Sequence, residues 1–151
     1  MPYVEAQVTI ARPLDEVFEF LADGLSAPQW MPWVTESTLL GYGGGVGATY
    51  SLRTVSSLLG RKRVVCRIVN FHSPVTLGVE AASLPGRPTA RFRLAPTSAG
   101  STSVTVRAEF PDLGSAANAG SIGRRWATHL VESLPRVKSA LESSSPAGGT
   151  A

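Results

Sequence analysis

The sequence predicts an α+β fold in which a curved, seven-stranded antiparallel sheet wraps around one long C-terminal helix, with two short helices between the first two strands. Three observations carry this. Seven short segments alternate apolar and polar residues with period two, as half-buried strands do. The last six of them follow one another through short Gly-, Pro- or Ser-rich connections, which argues for an antiparallel meander. From Ile122 onward the apolar residues step instead by three or four, the stripe of an amphipathic helix. A chain of 151 residues suits one domain able to bury a core and still enclose a cavity. The domain is expected over residues 1–142, and the small, polar stretch 143–151 is expected to be a disordered tail.

In order, Val4 to Ile10 alternates strictly and predicts the first strand. Pro13 suits a first helical position, Asp15 and Glu16 favour the positive end of a helix dipole, and Leu14, Val17, Phe18 and Leu21 make one apolar face. This short helix should end near Gly24. Ala27 to Trp33 holds two prolines and two tryptophans, too broken for a long helix and too apolar for an exposed loop, so a short helical turn with inward indoles is expected. Strands follow at Val34 to Leu40, Ala48 to Val55, Lys62 to Val69, Val75 to Glu80, Thr89 to Leu94 and Ser103 to Phe110. After Gly114, the stripe Ile122, Trp126, Leu130, Leu134, Val137 and Leu141 marks the last helix. Pro135 removes one backbone hydrogen bond there and predicts a bend near Val131, not a stop, because the stripe continues past it.

Composition narrows the function. The 14 basic and 11 acidic residues leave a net charge of +3, nearly all the positive charge being arginine, which is too mild for a nucleic-acid specialist. No run of 18 or more apolar residues occurs, and Met1 to Glu5 lacks a secretory signal, so no membrane span and a cytoplasmic location are expected. Cys66 is the one cysteine and sits in an apolar strand, where core packing is the plain expectation. His72 and His129 have no metal-ligand spacing around them, and neither a metal nor a cofactor is expected. No serine lies in a Gly-x-Ser-x-Gly setting, which argues against a hydrolase. Gly43 to Ala48 matches a G-x-G-x-x-A string, but a strand follows where a dinucleotide fold needs a helix, so it reads as a hairpin loop, able to act as a lid at a pocket mouth.

The inward strand phase carries Val4, Val8, Ile10, Tyr50, Leu52, Val64, Ile68, Leu77, Val79, Phe92, Leu94, Val104, Val106 and Phe110. A helix about 10 Å across does not fill the concave side of so large a twisted sheet, which leaves a space for a small apolar ligand, typically ~300 to 1,000 Å³. On the opposite phase lie Arg53, Arg61, Arg63, Arg67, Arg91, Arg93 and Arg107, with Glu5, Glu80 and Glu109. That face reads either as a solvated surface with weak cross-strand ion pairs or as a patch that docks weakly on an anionic membrane or RNA.

The segments Ile10 to Asp23, Trp30-Met31-Pro32-Trp33-Val34 and Val46-Gly47, with Leu134 to Glu142 at the end, resemble the START-like (SRPBCC, Bet v 1-like) superfamily, nearest to its polyketide cyclase/dehydrase and lipid transport group. The resemblance spans residues 3 to 142. It implies a helix-grip fold with a pocket between sheet and last helix and an entrance near the strand-joining loops. It does not fix the activity, because members include cyclases, lipid carriers, receptors and chaperone activators. Three functions therefore stand. A binding module would take up a lipid, isoprenoid or polyketide-like molecule against Trp30, Trp33, Tyr50, Leu52, Leu77, Val79, Phe92, Trp126, His129 and Leu130. A cyclase or dehydratase would use His129 as general base and Tyr50 as donor, with Glu36 joining if that strand's phase turns it inward. A protein-contact module of the chaperone-cofactor kind would have its pocket collapsed onto Trp30, Trp33 and Trp126. A monomer or homodimer is compatible with each.

Overall fold

The computed structural model describes residues 2–41, 44–55, 62–98, 100–111 and 117–143. Its elements are β1 (Tyr3–Ile10), α1 (Leu14–Ala22), a 3-10 turn (Gly24–Ser26), α2 (Ala27–Trp30), β2 (Val34–Leu39), β3 (Thr49–Thr54), β4 (Arg63–His72), β5 (Thr76–Ala81), β6 (Thr89–Ser98), β7 (Ser101–Glu109) and α3 (Ala117–Glu142). The strands form one antiparallel sheet in the order β1-β7-β6-β5-β4-β3-β2, a meander from β2 to β7 to which β1 adds beside β7. This is the expected helix-grip arrangement. Gly43, Arg61, Gly114 and the tail beyond Ser143 lie outside the described residues.

Period-two patterning does what it predicts. Along β7 the side chains of Thr102, Val104, Val106 and Ala108 are fully buried while the residues between them face outward. On α3 the stripe Trp126, Leu130, Leu134, Val137 and Leu141 is buried. The helix lies across β1 and β7 and against α2, and it runs through Pro135 without a break. Among the described residues no helix is long and apolar enough to cross a membrane.

Three local expectations are corrected. Pro13 is the N-cap of α1, in an extended conformation, and the first helical residue is Leu14. β6, expected to end at Leu94, runs through Pro96 to Ser98. Pro96 pairs with Thr102 of β7 at a bulge, but the ladder to β5 ends at Arg93, so its missing N–H interrupts no bond on that side. In β2 a bulge between Val34 and Glu36 changes the phase of the strand. Glu36 then pairs with Arg53 on the outer face, whereas Ser37 and Leu39 oppose Leu52 and Tyr50.

The C-terminal end of α3 is clipped to the start of the chain. Glu142 Oε2 accepts from the backbone N–H of Ala11 at 2.7 Å and from Lys138 Nζ at 2.7 Å, and Lys138 Nζ also donates to the Thr9 carbonyl at 3.1 Å. The hydrogen bond from Lys138, then that from Ala11, hold the Glu142 carboxyl below its ordinary value of 4.5, reinforced by the charges of Lys138 and Arg12 and opposed by partial desolvation. A lowered folded-state pKa contributes stability that is complete above the unfolded value and is lost as pH falls through the folded one. Glu142→Gln should therefore be less stable than wild type at neutral pH, and the gap should close as pH falls below the ordinary carboxylate range, as read by urea unfolding at both ends. A gap that stays constant with pH would mean that the carboxylate does not clip the helix.

Candidate functional site

Between the sheet and the helices lies a cavity of about 60 Å³, walled by the end of α1, the 3-10 turn, α2, β3 to β6 and α3. Seven of the ten residues expected to line a pocket stand on its wall: Trp30, Tyr50, Leu52, Val79, Phe92, Trp126 and Leu130. The other three stand elsewhere. Leu77 is fully buried in the packed core. Trp33 and His129 border a separate surface depression with Pro32, Glu132, Ser133 and Arg136.

His129 departs from its expected place because each helical residue turns by about 100°, so three residues past Trp126 it has rotated off the buried stripe to its edge. There its ring lies tilted 6.3 Å from that of Trp33. The Trp33 indole N–H donates to Ser133 Oγ at 3.1 Å, and that hydroxyl donates to the His129 carbonyl at 2.7 Å, so the buried polar groups of this seam satisfy one another. Tyr50 and His129 thus line different spaces. Glu36, turned outward by the β2 bulge, is exposed and lies 4.0 Å from Arg63. The inward position considered for Glu36 is not the one it takes.

The sequence reading missed the wall made by the segment between α1 and α2. Asp23 caps the 3-10 turn by accepting from the Leu25 N–H at 3.0 Å, Ser26 Oγ donates to the Phe20 carbonyl at 2.7 Å, and Ser37 Oγ of β2 donates to the Gly24 carbonyl at 2.8 Å. The turn so pinned presses Gly24 against the flat of the Tyr50 ring, where a Cβ would overlap Cγ and Cδ1 of the tyrosine. A glycine at that position was the available signal. Cys66, also on the wall, was placed correctly in the core. Burial pushes its thiol up to about 12, so it stays protonated and is no nucleophile near neutrality.

The volume is well below the range expected for a ligand pocket. Large rings account for the difference: Trp30 meets Phe92 edge-on, with centroids 6.2 Å apart, and Trp30 and Trp126 are 4% and 1% exposed. The polar side chains on the wall are mostly committed, Ser26 and Asp23 to the turn and Arg67 to Glu80 at 3.5 Å.

A family model described as "Polyketide cyclase / dehydrase and lipid transport" matches residues 1–142. The chain belongs to this family. Three solved structures are similar to this chain in fold. An aromatase/cyclase, Zhui, from Streptomyces sp. R1128 is 19% identical with a TM-score of 0.71, covering 94% of this chain and 92% of that one. A START superfamily protein from Mycobacterium smegmatis is 15% identical with a TM-score of 0.67, covering 93% and 97%. Ara h 8.0201 is 15% identical with a TM-score of 0.71, covering 95% and 99%. No curated protein matches the sequence. At these identities the structural likeness shows the shared helix-grip fold and leaves open which chemistry the family member performs.

Proposed function

We propose that this protein binds a small, uncharged apolar molecule in the cavity between the sheet, the α1–α2 segment and α3. The observation that carries the reading is the wall itself: aromatic and aliphatic side chains make up most of it, and its Ser26 and Asp23 side chains are held by the turn. A charged ligand would forfeit its hydration against a wall whose two charged side chains, Asp23 and Arg67, are engaged by the Leu25 N–H and by Glu80. An apolar one gains roughly 25 cal/mol per Å² of surface removed from water. At about 60 Å³ the space is smaller than the roughly 150 Å³ that admits benzene, so a lipid, isoprenoid or polyketide-like ligand must displace rings, Trp30 and Phe92 first. The family description, which includes lipid transport, supports this class of ligand.

The small volume also supports a second reading, a protein-contact module whose pocket is filled by its own tryptophans. A cyclase using His129 and Tyr50 together has no such support, because the two side chains border different spaces. Native mass spectrometry of freshly purified protein, followed by denaturing extraction, separates the first two. Under the binding reading a co-purifying apolar molecule appears at one per chain, and Ala27→Leu, which plugs the cavity from the start of α2 at a cost of about 1–3 kcal/mol, loses it while still unfolding cooperatively. An empty protein that also ignores a panel of lipids and polyketide mimics would leave the contact reading standing.

A further inference from the structure

The outer face of the sheet holds a second depression, of about 240 Å³, bordered by Glu5, Arg91, Arg93, Thr105, Arg107 and Glu109. Its layout follows from register. Glu5 of β1, Arg107 of β7, Arg91 of β6 and Gly78 of β5 stand in one cross-strand row, and Thr105, Arg93 and Thr76 in the next. Arg91 therefore faces another arginine on one side and a glycine on the other, while Arg93 sits between two threonines. Like charges directly opposite each other on a sheet are destabilising.

Two other arginines of this face have carboxylate partners, and Arg53 of β3 stands apart from the depression beside Glu36 in register. Arg67 pairs with Glu80 at 3.5 Å and Arg63 reaches Glu36 at 4.0 Å. Among the described residues Arg91, Arg93 and Arg107 have no carboxylate within 4.0 Å. The Arg107 guanidinium instead lies over the Tyr3 ring, 3.6 Å from its centroid, which fixes its position without neutralising it. Glu5 neighbours Arg107 in register and Glu109 stands diagonal to Arg91, so two carboxylates border the depression with three guanidinium groups, and neither forms an ion pair with them.

We propose that this depression is a binding site for a phosphate group, held by Arg91, Arg93 and Arg107 with the Thr105 hydroxyl beside them. Cross-strand neighbours stand about 5 Å apart and alternate residues along a strand about 7 Å apart, so one tetrahedral dianion reaches all three guanidinium groups and relieves their repulsion. Arginine in place of lysine suits this, because its planar fork donates two parallel hydrogen bonds to phosphate oxygens. The phosphate comes either from a soluble phosphate compound or from a lipid headgroup, and the site is independent of the apolar cavity on the opposite face of the sheet.

Titration calorimetry with inorganic phosphate and pyrophosphate at low ionic strength tests the soluble source, and sedimentation with phosphatidylcholine vesicles, with and without phosphatidic acid, tests the headgroup. Saturable binding in either arm is expected to weaken about tenfold or more in Arg91→Gln/Arg93→Gln, and in Arg107→Gln as a single change. Arg53→Gln removes the same charge from β3 on the same outer face and should weaken it less than about twofold. Pyrophosphate binding in solution assigns a soluble phosphate, and binding only to vesicles holding phosphatidic acid assigns the headgroup. Equal weakening by Arg53→Gln, or no saturable binding to any of these probes, would overturn the site.

Discussion

Trp126→Ala should lower the free energy of unfolding by about 3–5 kcal/mol, the largest single-residue effect expected in this protein. Trp126 is 1% exposed, sits on the buried stripe of α3 and forms part of the cavity wall. Its removal strips out the apolar area of an indole and merges the space it vacates with the existing void of about 60 Å³. The surrounding sheet, with Val104, Val106 and Ala108 already fully buried, has little freedom to collapse into the gap. Urea unfolding should show an earlier midpoint with the slope unchanged. The same variant tests the cavity: added indole should restore part of the lost stability by filling the enlarged space, as binding to the folded state alone must. A loss below about 1 kcal/mol would mean that α3 does not pack against the sheet through this residue.

The sheet was legible because its signal is repeated seven times, each strand stating its inward face by alternation. The helix stripe from Trp126 to Leu141 was legible for the same reason with the other period. What escaped lies where one residue changes the outcome. A single bulge after Val34 reversed the side to which Glu36 points, and alternation read from Val34 and Leu40 has no means of seeing it. Alternation ended β6 at Leu94, and only the third dimension reveals that it continues along β7 through Pro96 after β5 has stopped beside it. His129 shares a helix with Trp126, yet the rotation between them carries it into another space, beside Trp33. The cavity's size is the hardest quantity to read, since it is a small difference between the volume under a curved sheet and the volume of the rings that fill it. The chemistry of the site inherits this limit: the sequence names the aromatic residues but not whether they line a pocket or close it.

Cys66 gives the second large effect and a way to watch the cavity from inside. A thiol held at about 12 in place of its ordinary 9.0 carries about a thousandth of the thiolate near neutral pH, before any loss of access is counted. A polar thiol reagent at mildly alkaline pH should therefore label native protein at least about a thousandfold more slowly than urea-unfolded protein. Rapid labelling of native protein would show a path from solvent to the wall. The same burial sets a pH dependence of stability. Because the folded-state pKa is raised, the contribution is complete below 9.0 and is lost as pH climbs from there towards 12, where the unfolded chain ionises and the folded one does not. Cys66→Ala should flatten that alkaline decline in urea unfolding while leaving the acid limb, set in part by Glu142, unchanged. A bound apolar ligand touches the same wall, so under the binding reading it should slow whatever labelling by small apolar thiol reagents remains, whereas a collapsed contact module would show the same slow rate with and without the candidate molecule.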